Sequence, residues 1–302
     1  MHTTSLSRLA CSLGAAALLA TGLASVAHAD PFPSLTSPAT TEHRPGKLIW
    51  ADLFTSEPAA ASKFYCGLLG WTASNIDQKG KAYIVFMNNG VPIAGIAPHS
   101  LSKADHPSRW IGYVSVSDIK ATVEAVEKAG GKVHAPIRKF PDRGHQAIVA
   151  DSDGNPIGLL QSSSGDPADD GTEFGEWNWF EVYARDTQLS ANFYHQALGF
   201  SADTETRSDR KSDFVLSSGG NSRGGIAPIP TDVAGAKPSW LGIIRVADLD
   251  ATLGKVPGLG GEVLLQPHSV EFGSRFAIVL DPTGGTVGLV QYIESANPSK
   301  SP

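Results

Sequence analysis

Cysteine is nearly missing from this chain: two in 302 residues, Cys11 and Cys66. A disulfide framework is therefore excluded, and the fold has to rest on apolar cores. Charge is sparse as well, at 18% Asp, Glu, Lys and Arg, with 24 basic against 30 acidic residues and a formal charge of −6. No basic stripe occurs, which argues against nucleic acid and anionic membrane as partners. Only one stretch is long and apolar, Leu9 to Ala24. It follows Arg8 and leads to Ala27-His28-Ala29, the small-x-small pattern of a cleaved signal peptide. Residues 1–29 are thus expected to address the chain outside the cytoplasm, secreted or periplasmic, with no membrane attachment after cleavage. Cleavage removes one Arg and Cys11, so the mature chain carries Cys66 alone. Cys66 reads as a small helix-face residue, because no base accompanies it.

Glycine (32) and proline (20), by contrast, are plentiful and mark frequent turns. Self-similarity organises the rest. Trp50 to Trp71 holds a strand pattern, a polar corner and a helix ending Phe64-Tyr65-x-x-x-Leu69-Gly70-aromatic; Trp179 to Phe200 repeats it through Phe193-Tyr194 and Leu198-Gly199. Gly95-Ile-Ala-Pro98 returns as Gly225-Ile-Ala-Pro228, Trp110 to Asp118 as Trp240 to Asp248, and Ala147 to Asp151 as Ala277 to Asp281. Matches in one order at one offset define a tandem duplication. The expected division is a signal peptide (1–29), a Pro/Ser/Thr-rich disordered leader (30–46), domain 1 (47–161), a polar linker (162–172), domain 2 (173–293) and a disordered tail (294–302). Each domain is expected to hold two strand–helix–strand–strand–strand units, an α+β class, and the two domains to pair within the chain. Asn75–Lys81 reads as a turn, and its longer counterpart Asp203–Asp213 as a surface loop.

Four such units, with the Phe-Tyr-x-x-x-Leu-Gly-aromatic helix and an Asp-x-x-Gly turn before the last strand, resemble the vicinal oxygen chelate superfamily of glyoxalases, bleomycin-binding proteins and extradiol dioxygenases. The opening Trp-x-Asp/Glu is similar to a glyoxalase-like subgroup often called hydroxylase. The resemblance covers residues 47–293 and implies two half-open barrels, each built from a pair of βαβββ units, with a ligand on the concave side. It also implies metal positions on the first, fifth and last strands of each barrel. Here these fall on Trp50, Ile111 (or Trp110 with the register slipped by one) and Gly158, then on Trp179, Leu241 (or Trp240) and Gly288. None supplies a donor of the kind a divalent cation requires. Gly95 and Gly225 occupy a further position where some glyoxalases carry Glu. No cofactor is therefore expected, the alternative being a divalent metal at a non-standard site.

What remains on those strands is aromatic and acidic. Asp52 and Glu181 lie two residues beyond Trp50 and Trp179, on the same strand face. Flanked by Trp50 and Phe54, or by Trp179 and Tyr183, they are candidate ligand anchors or general bases; the alternative is a structural carboxylate. Trp50, Trp110, Trp179 and Trp240 recur at strand starts and suit either an aromatic pocket or core packing. Arg143 and Arg275 precede the seventh strand of each copy, and His145 stands close by, as rim or surface charges. A small aromatic or polycyclic molecule, bound without metal, is the expected ligand. An enzyme using Asp52 or Glu181, or a ligand-free interaction protein, are the alternatives. Sequencing the amino terminus of protein recovered outside the cytoplasm should read from Asp30; a chain retaining residues 1–29 there would refute the signal assignment.

Overall fold

The structure, a computed structural model, describes residues 30–78, 82–98, 108–204, 213–231, 233, 235–269 and 274–292. Residues 1–29, expected to be a signal peptide, the expected tail and most of the expected Asp203–Asp213 loop lie outside them. The first domain runs β1 (Leu48–Thr55), α1 (Pro58–Leu69), β2 (Thr72–Asp77), β3 (Ala82–Asn88) and β4 (Val91–Pro98), then β5 (Arg109–Ser115), α2 (Ile119–Lys128), β6 (Lys132–Phe140), β7 (Gly144–Ala150) and β8 (Pro156–Ser162). The second repeats it as β9 (Trp177–Ala184), α3 (Thr187–Leu198), β10 (Ser201–Thr204), β11 (Phe214–Ser218) and β12 (Asn221–Pro228), then β13 (Ser239–Arg245), α4 (Leu249–Lys255), β14 (Glu262–Ser269), β15 (Arg275–Leu280) and β16 (Thr286–Gln291). Each domain is one eight-stranded mixed sheet, in order β2-β3-β4-β1-β5-β8-β7-β6 and β10-β11-β12-β9-β13-β16-β15-β14. The two units of each sheet meet where β1 runs antiparallel to β5, and β9 to β13. β2 replaces most of the expected Asn75–Lys81 turn. Five of its six residues are exposed, so no apolar alternation marked it in the sequence.

Local chemistry explains the helix ends. Asp118 accepts hydrogen bonds from the backbone of Lys120 and Ala121; Asp186 and Asp248 do the same for Leu189 and Ala251. Pro58 opens α1 where no partner for its nitrogen is needed. Gly70 and Gly199 close α1 and α3 in the left-handed region, at φ 75° and 72°.

The helices cover one face of each sheet, and there the domains meet. Phe64, Tyr65 and Leu68 of α1 share a core with Leu249 and Leu253 of α4, while Val126 of α2 shares another with Phe193 and Tyr194 of α3. Each repeat's signature tyrosine crosses into the other repeat. Tyr65 donates its hydroxyl to Asp281 (2.8 Å), and Tyr194 donates to Asp151 (3.1 Å). Those aspartates also hold their own turns: Asp151 accepts from the backbone of Asp153 and Asn155, and Asp281 from Thr283 and Gly285. Burial pushes the Asp151 carboxyl up, against the pull of the Asn155 and Tyr194 hydrogen bonds.

The leader and linker depart from expectation: neither hangs free. Phe32 and Leu35 are 7% and 6% exposed and join the core on the face of the first sheet away from the helices, beside Trp50, Tyr83 and Tyr113. The backbone of Asp30 donates to Asp77, that of Leu35 to the Ser164 hydroxyl and that of Thr40 to the Ser164 carbonyl. Asp166 of the linker, itself buried, accepts from the backbone of Arg44 and the hydroxyl of Ser115 (both 2.5 Å). Asp169 takes a two-pronged bond from Arg223 (2.6 and 2.9 Å) and an ion pair from Lys47 (3.0 Å), with Arg223 first in holding its carboxyl down at about 2. Two aromatic and aliphatic anchors in an otherwise polar strip suffice, because the sheet offers them an apolar floor.

Tyr65→Phe and Tyr194→Phe each leave a buried carboxylate short of one donor. Each should cost about 1–3 kcal/mol in chemical denaturation; no loss in either variant would show that the inter-repeat bonds carry no stability.

Candidate functional site

The faces turned away from the helices form the two concavities. In the first, Trp50, Asp52 and Phe54 project by strand alternation. Asp52 is 6% exposed, and its Oδ1 accepts from the Trp50 indole (2.7 Å) and the Tyr83 hydroxyl (2.5 Å). Burial, then the charge of Asp52, pushes both the Tyr83 and Tyr113 hydroxyls well above their ordinary range, with Arg143 opposing. Asp52 lies directly across from Gly95 in register, and a Cβ added to Gly95 would stand 1.8 Å from the Tyr83 hydroxyl and 2.7 Å from Asp52 Oδ1. The carboxylate from β1 therefore fills the space above the glycine of β4. Asp52 is thus enclosed, with both bonds on one oxygen.

The second concavity repeats the strand plan with different furniture. Glu181 pairs with Gly225, and a Cβ there would stand 2.7 Å from both carboxylate oxygens. Trp179 donates its indole N–H to Glu181 (3.1 Å) and is half-buried, where Trp50 is fully buried. Around them lie Tyr183, Leu241, Ile243, Phe276 and Val290. In strand register Ile243 stands where the first domain has Tyr113 and Phe276 where it has Gln146, both more apolar, while Asp213 stands where it has Tyr83.

Two expected pocket residues point elsewhere. Trp110 and Trp240 precede Ile111 and Leu241 by one position, so they project onto the helix-covered face. Trp110 donates to Tyr65 (2.7 Å) and meets the Trp177 ring edge-on at 5.3 Å. Trp240 stacks on Phe180 at 4.7 Å. Both are core residues. Phe54 is only half-buried on the first concavity's strand. Arg275 forms a surface pair with Asp250 (2.6 and 2.9 Å), as a rim charge would. Arg143, expected to be a rim charge too, is 1% exposed, with its guanidinium 4.0 Å from the Trp50 ring centre and 4.7 Å from that of Phe32. An arginine preceding a Gly turn carries no sequence sign of burial; its partner ring lies more than a hundred residues away. The Cys66 thiol is pushed up, chiefly by burial, which disfavours the thiolate a nucleophile needs.

Strand pairing shows what stands beside the expected metal positions. Tyr113, not Ile111, stands opposite Trp50 and beside Gly158; Ile111 stands opposite Asp52. Likewise Ile243 joins Trp179 to Gly288. A Cβ on Gly158 would stand 2.2 Å from the Tyr113 ring, and one on Gly288 2.8 Å from Phe276 and 2.9 Å from Ile243. Rings and aliphatic groups take up the volume that a chelated ion would need. Among the described residues no three His, Cys, Asp or Glu side chains converge. These positions do not fit a divalent cation.

Paired βαβββ units, each pair forming one eight-stranded mixed sheet, define the class of protein: a tandem two-domain α+β scaffold. The family model for the Glyoxalase/Bleomycin resistance protein/Dioxygenase superfamily matches residues 47–159 and 177–289, and the chain belongs to that superfamily. It is 30% identical over 257 residues to CFP32 of Mycobacterium bovis, a protein provisionally named a glyoxylase, covering 84% of this chain and 98% of that one. It is 29% identical over 268 residues to the anthracycline biosynthesis protein DauV of a Streptomyces species, covering 84% and 96%. Among solved structures it is similar to the Mn(II)-bound glyoxalase from Novosphingobium aromaticivorans (TM-score 0.58, 15% identity, 83% of this chain and 84% of that one). It is also similar to 2,2',3-trihydroxybiphenyl 1,2-dioxygenase from Sphingomonas wittichii (TM-score 0.55, 18% identity, 83% and 90%). At those identities the solved structures speak for the fold.

Four buried phenols, Tyr65, Tyr83, Tyr113 and Tyr194, share raised values with burial as the first cause. A raised folded-state value means the folded chain holds its proton longer than the unfolded chain does. The stabilisation is fully present below the unfolded tyrosine value of about 10 and is lost as pH rises through the folded values. Ultraviolet titration should therefore show these four tyrosines ionising only at strongly alkaline pH, together with unfolding; ionisation of all four in the ordinary phenol range would contradict the burial.

Proposed function

We propose that the mature chain acts outside the cytoplasm as a metal-independent binding protein for a small aromatic or polycyclic molecule, held on the concave face of the second domain. The carrying observation is the half-buried Trp179 beside Glu181 on a floor of Tyr183, Leu241, Ile243 and Phe276. A half-buried indole beside apolar walls offers a stacking face, and a carboxylate within reach offers an acceptor for a ligand hydroxyl or amine. The first domain supports this division of labour, since its own Phe32 and Leu35 cover the corresponding face. A relative named for anthracycline biosynthesis supports a polycyclic aromatic as the ligand class. The signal-like residues 1–29 support export.

A second reading follows from the family, whose members include glyoxalases and dioxygenases: an enzyme in which Glu181 serves as general base. Asp52 is the poorer candidate for that role, being engaged by Trp50 and Tyr83. The readings separate by experiment. Titrating hydroxylated polycyclic aromatics against tryptophan fluorescence should give saturable quenching. Glu181→Gln should weaken it about tenfold, the loss of one charge-assisted hydrogen bond, while Asp52→Asn leaves it unchanged. No saturable response would overturn the binding reading. Turnover of the bound compound, lost in Glu181→Gln with binding retained, would favour the enzyme. A stoichiometric divalent metal in protein purified without chelator would overturn the metal-free reading.

A further inference from the structure

In the first concavity a charged side chain is buried without a polar partner. Arg143 is 1% exposed, and its Nε, Nη1 and Nη2 make no hydrogen bond. Its guanidinium lies between two rings, Trp50 and Phe32. Contact with aromatic faces stabilises a desolvated cation modestly. That is small beside the cost of burying a guanidinium whose donors are all unmet. The neighbouring carboxylate does not relieve it, because Asp52 is taken up by Trp50 and Tyr83. The second ring is the more informative one. Phe32 belongs to the leader and not to the barrel, and it meets Tyr83 and Phe140 edge-on at 5.1 and 5.8 Å. It reaches the concave face from outside the sheet, as a ligand ring would.

We propose that Phe32 occupies a ligand seat, and that the first domain binds a small aromatic carboxylate there, its ring replacing Phe32 and its carboxylate taking the unpaired fork of Arg143. The guanidinium's planar donors match a carboxylate two to two. The leader then acts as a tethered competitor: it keeps the seat dry and closed until a ligand bringing the missing anion displaces it. Phe32 supplies the ring but no acceptor, so a ligand with both has the advantage at Arg143, and the cost of freeing residues 30–46 sets the threshold concentration. This site is in the first domain and does not involve Glu181, so it stands or falls separately from the binding proposed for the second.

Phenylacetate and its neutral counterpart 2-phenylethanol test it, by calorimetry on the full mature chain carrying Phe32→Ala. Phenylacetate should bind at least about tenfold tighter than the alcohol, the size of one charge-assisted contact. Arg143→Met in the same background should abolish that preference, while Glu181→Gln leaves it intact. Equal affinity for acid and alcohol, or no binding of either, overturns the proposal. Should Phe32→Ala fail to fold, the wild-type chain decides: phenylacetate, and not 2-phenylethanol, should speed proteolytic cleavage within residues 30–46. Absence of that acceleration overturns it equally.

Discussion

The two domains are held in one arrangement by a reciprocal exchange of phenol and carboxylate. Tyr65 reaches Asp281 and Tyr194 reaches Asp151, so the helix of each repeat is bonded to the last turn of the other. Each aspartate meanwhile organises the backbone of its own turn, which leads into the last strand beside β5 or β13. Inter-repeat docking and the local shape of each turn therefore share the same buried carboxylates, the tyrosine on Oδ2 and the turn backbone on Oδ1. With helices of the two domains packed together, the Trp-x-Asp and Trp-x-Glu motifs lie on the opposite faces of the sheets.

On those faces the same strand plan has been furnished in two ways. A carboxylate from the opening strand sits over a glycine of the neighbouring strand in both domains, and the Cβ distances at Gly95 and Gly225 show why glycine is needed there. In the first domain the carboxylate is surrounded by hydroxyls and an indole, and the leader closes the space. In the second, Ile243 takes the place of Tyr113, Asp213 that of Tyr83, and the indole of Trp179 is half-buried. One duplicated strand plan thus carries two differently lined faces, the first of them met by the leader. At the strand positions where the superfamily resemblance places metal donors, rings, aliphatic groups and glycine stand instead.

The leader and linker gain their order from each other. Asp166 and Asp169 collect Arg44, Lys47, Arg223 and Ser115, tying the segment before the first strand to the segment between the domains. Such partly buried, multiply bonded carboxylates contribute more than isolated surface pairs. Polar composition made both segments look mobile, whereas their polarity is what fastens them.

The sequence by itself determined the duplication, the strand and helix order of both copies, the helix-ending glycines and the turn-forming aspartates, because each of these depends on neighbours a few residues away. It also determined that the opening strands present Trp-x-Asp and Trp-x-Glu on one face, since alternation along a strand is a local rule. Tertiary structure alone decided what those faces meet. The register of β1 against β5 put Tyr113, and not Ile111, between Trp50 and Gly158. A one-residue offset sent Trp110 and Trp240 into the inter-domain core. The burial of Arg143 between Trp50 and Phe32 joins three segments far apart in the chain, and β2, almost wholly exposed, exists only because β3 offers it an edge. Local patterns specify elements; only packing specifies which residues from distant elements share one desolvated space.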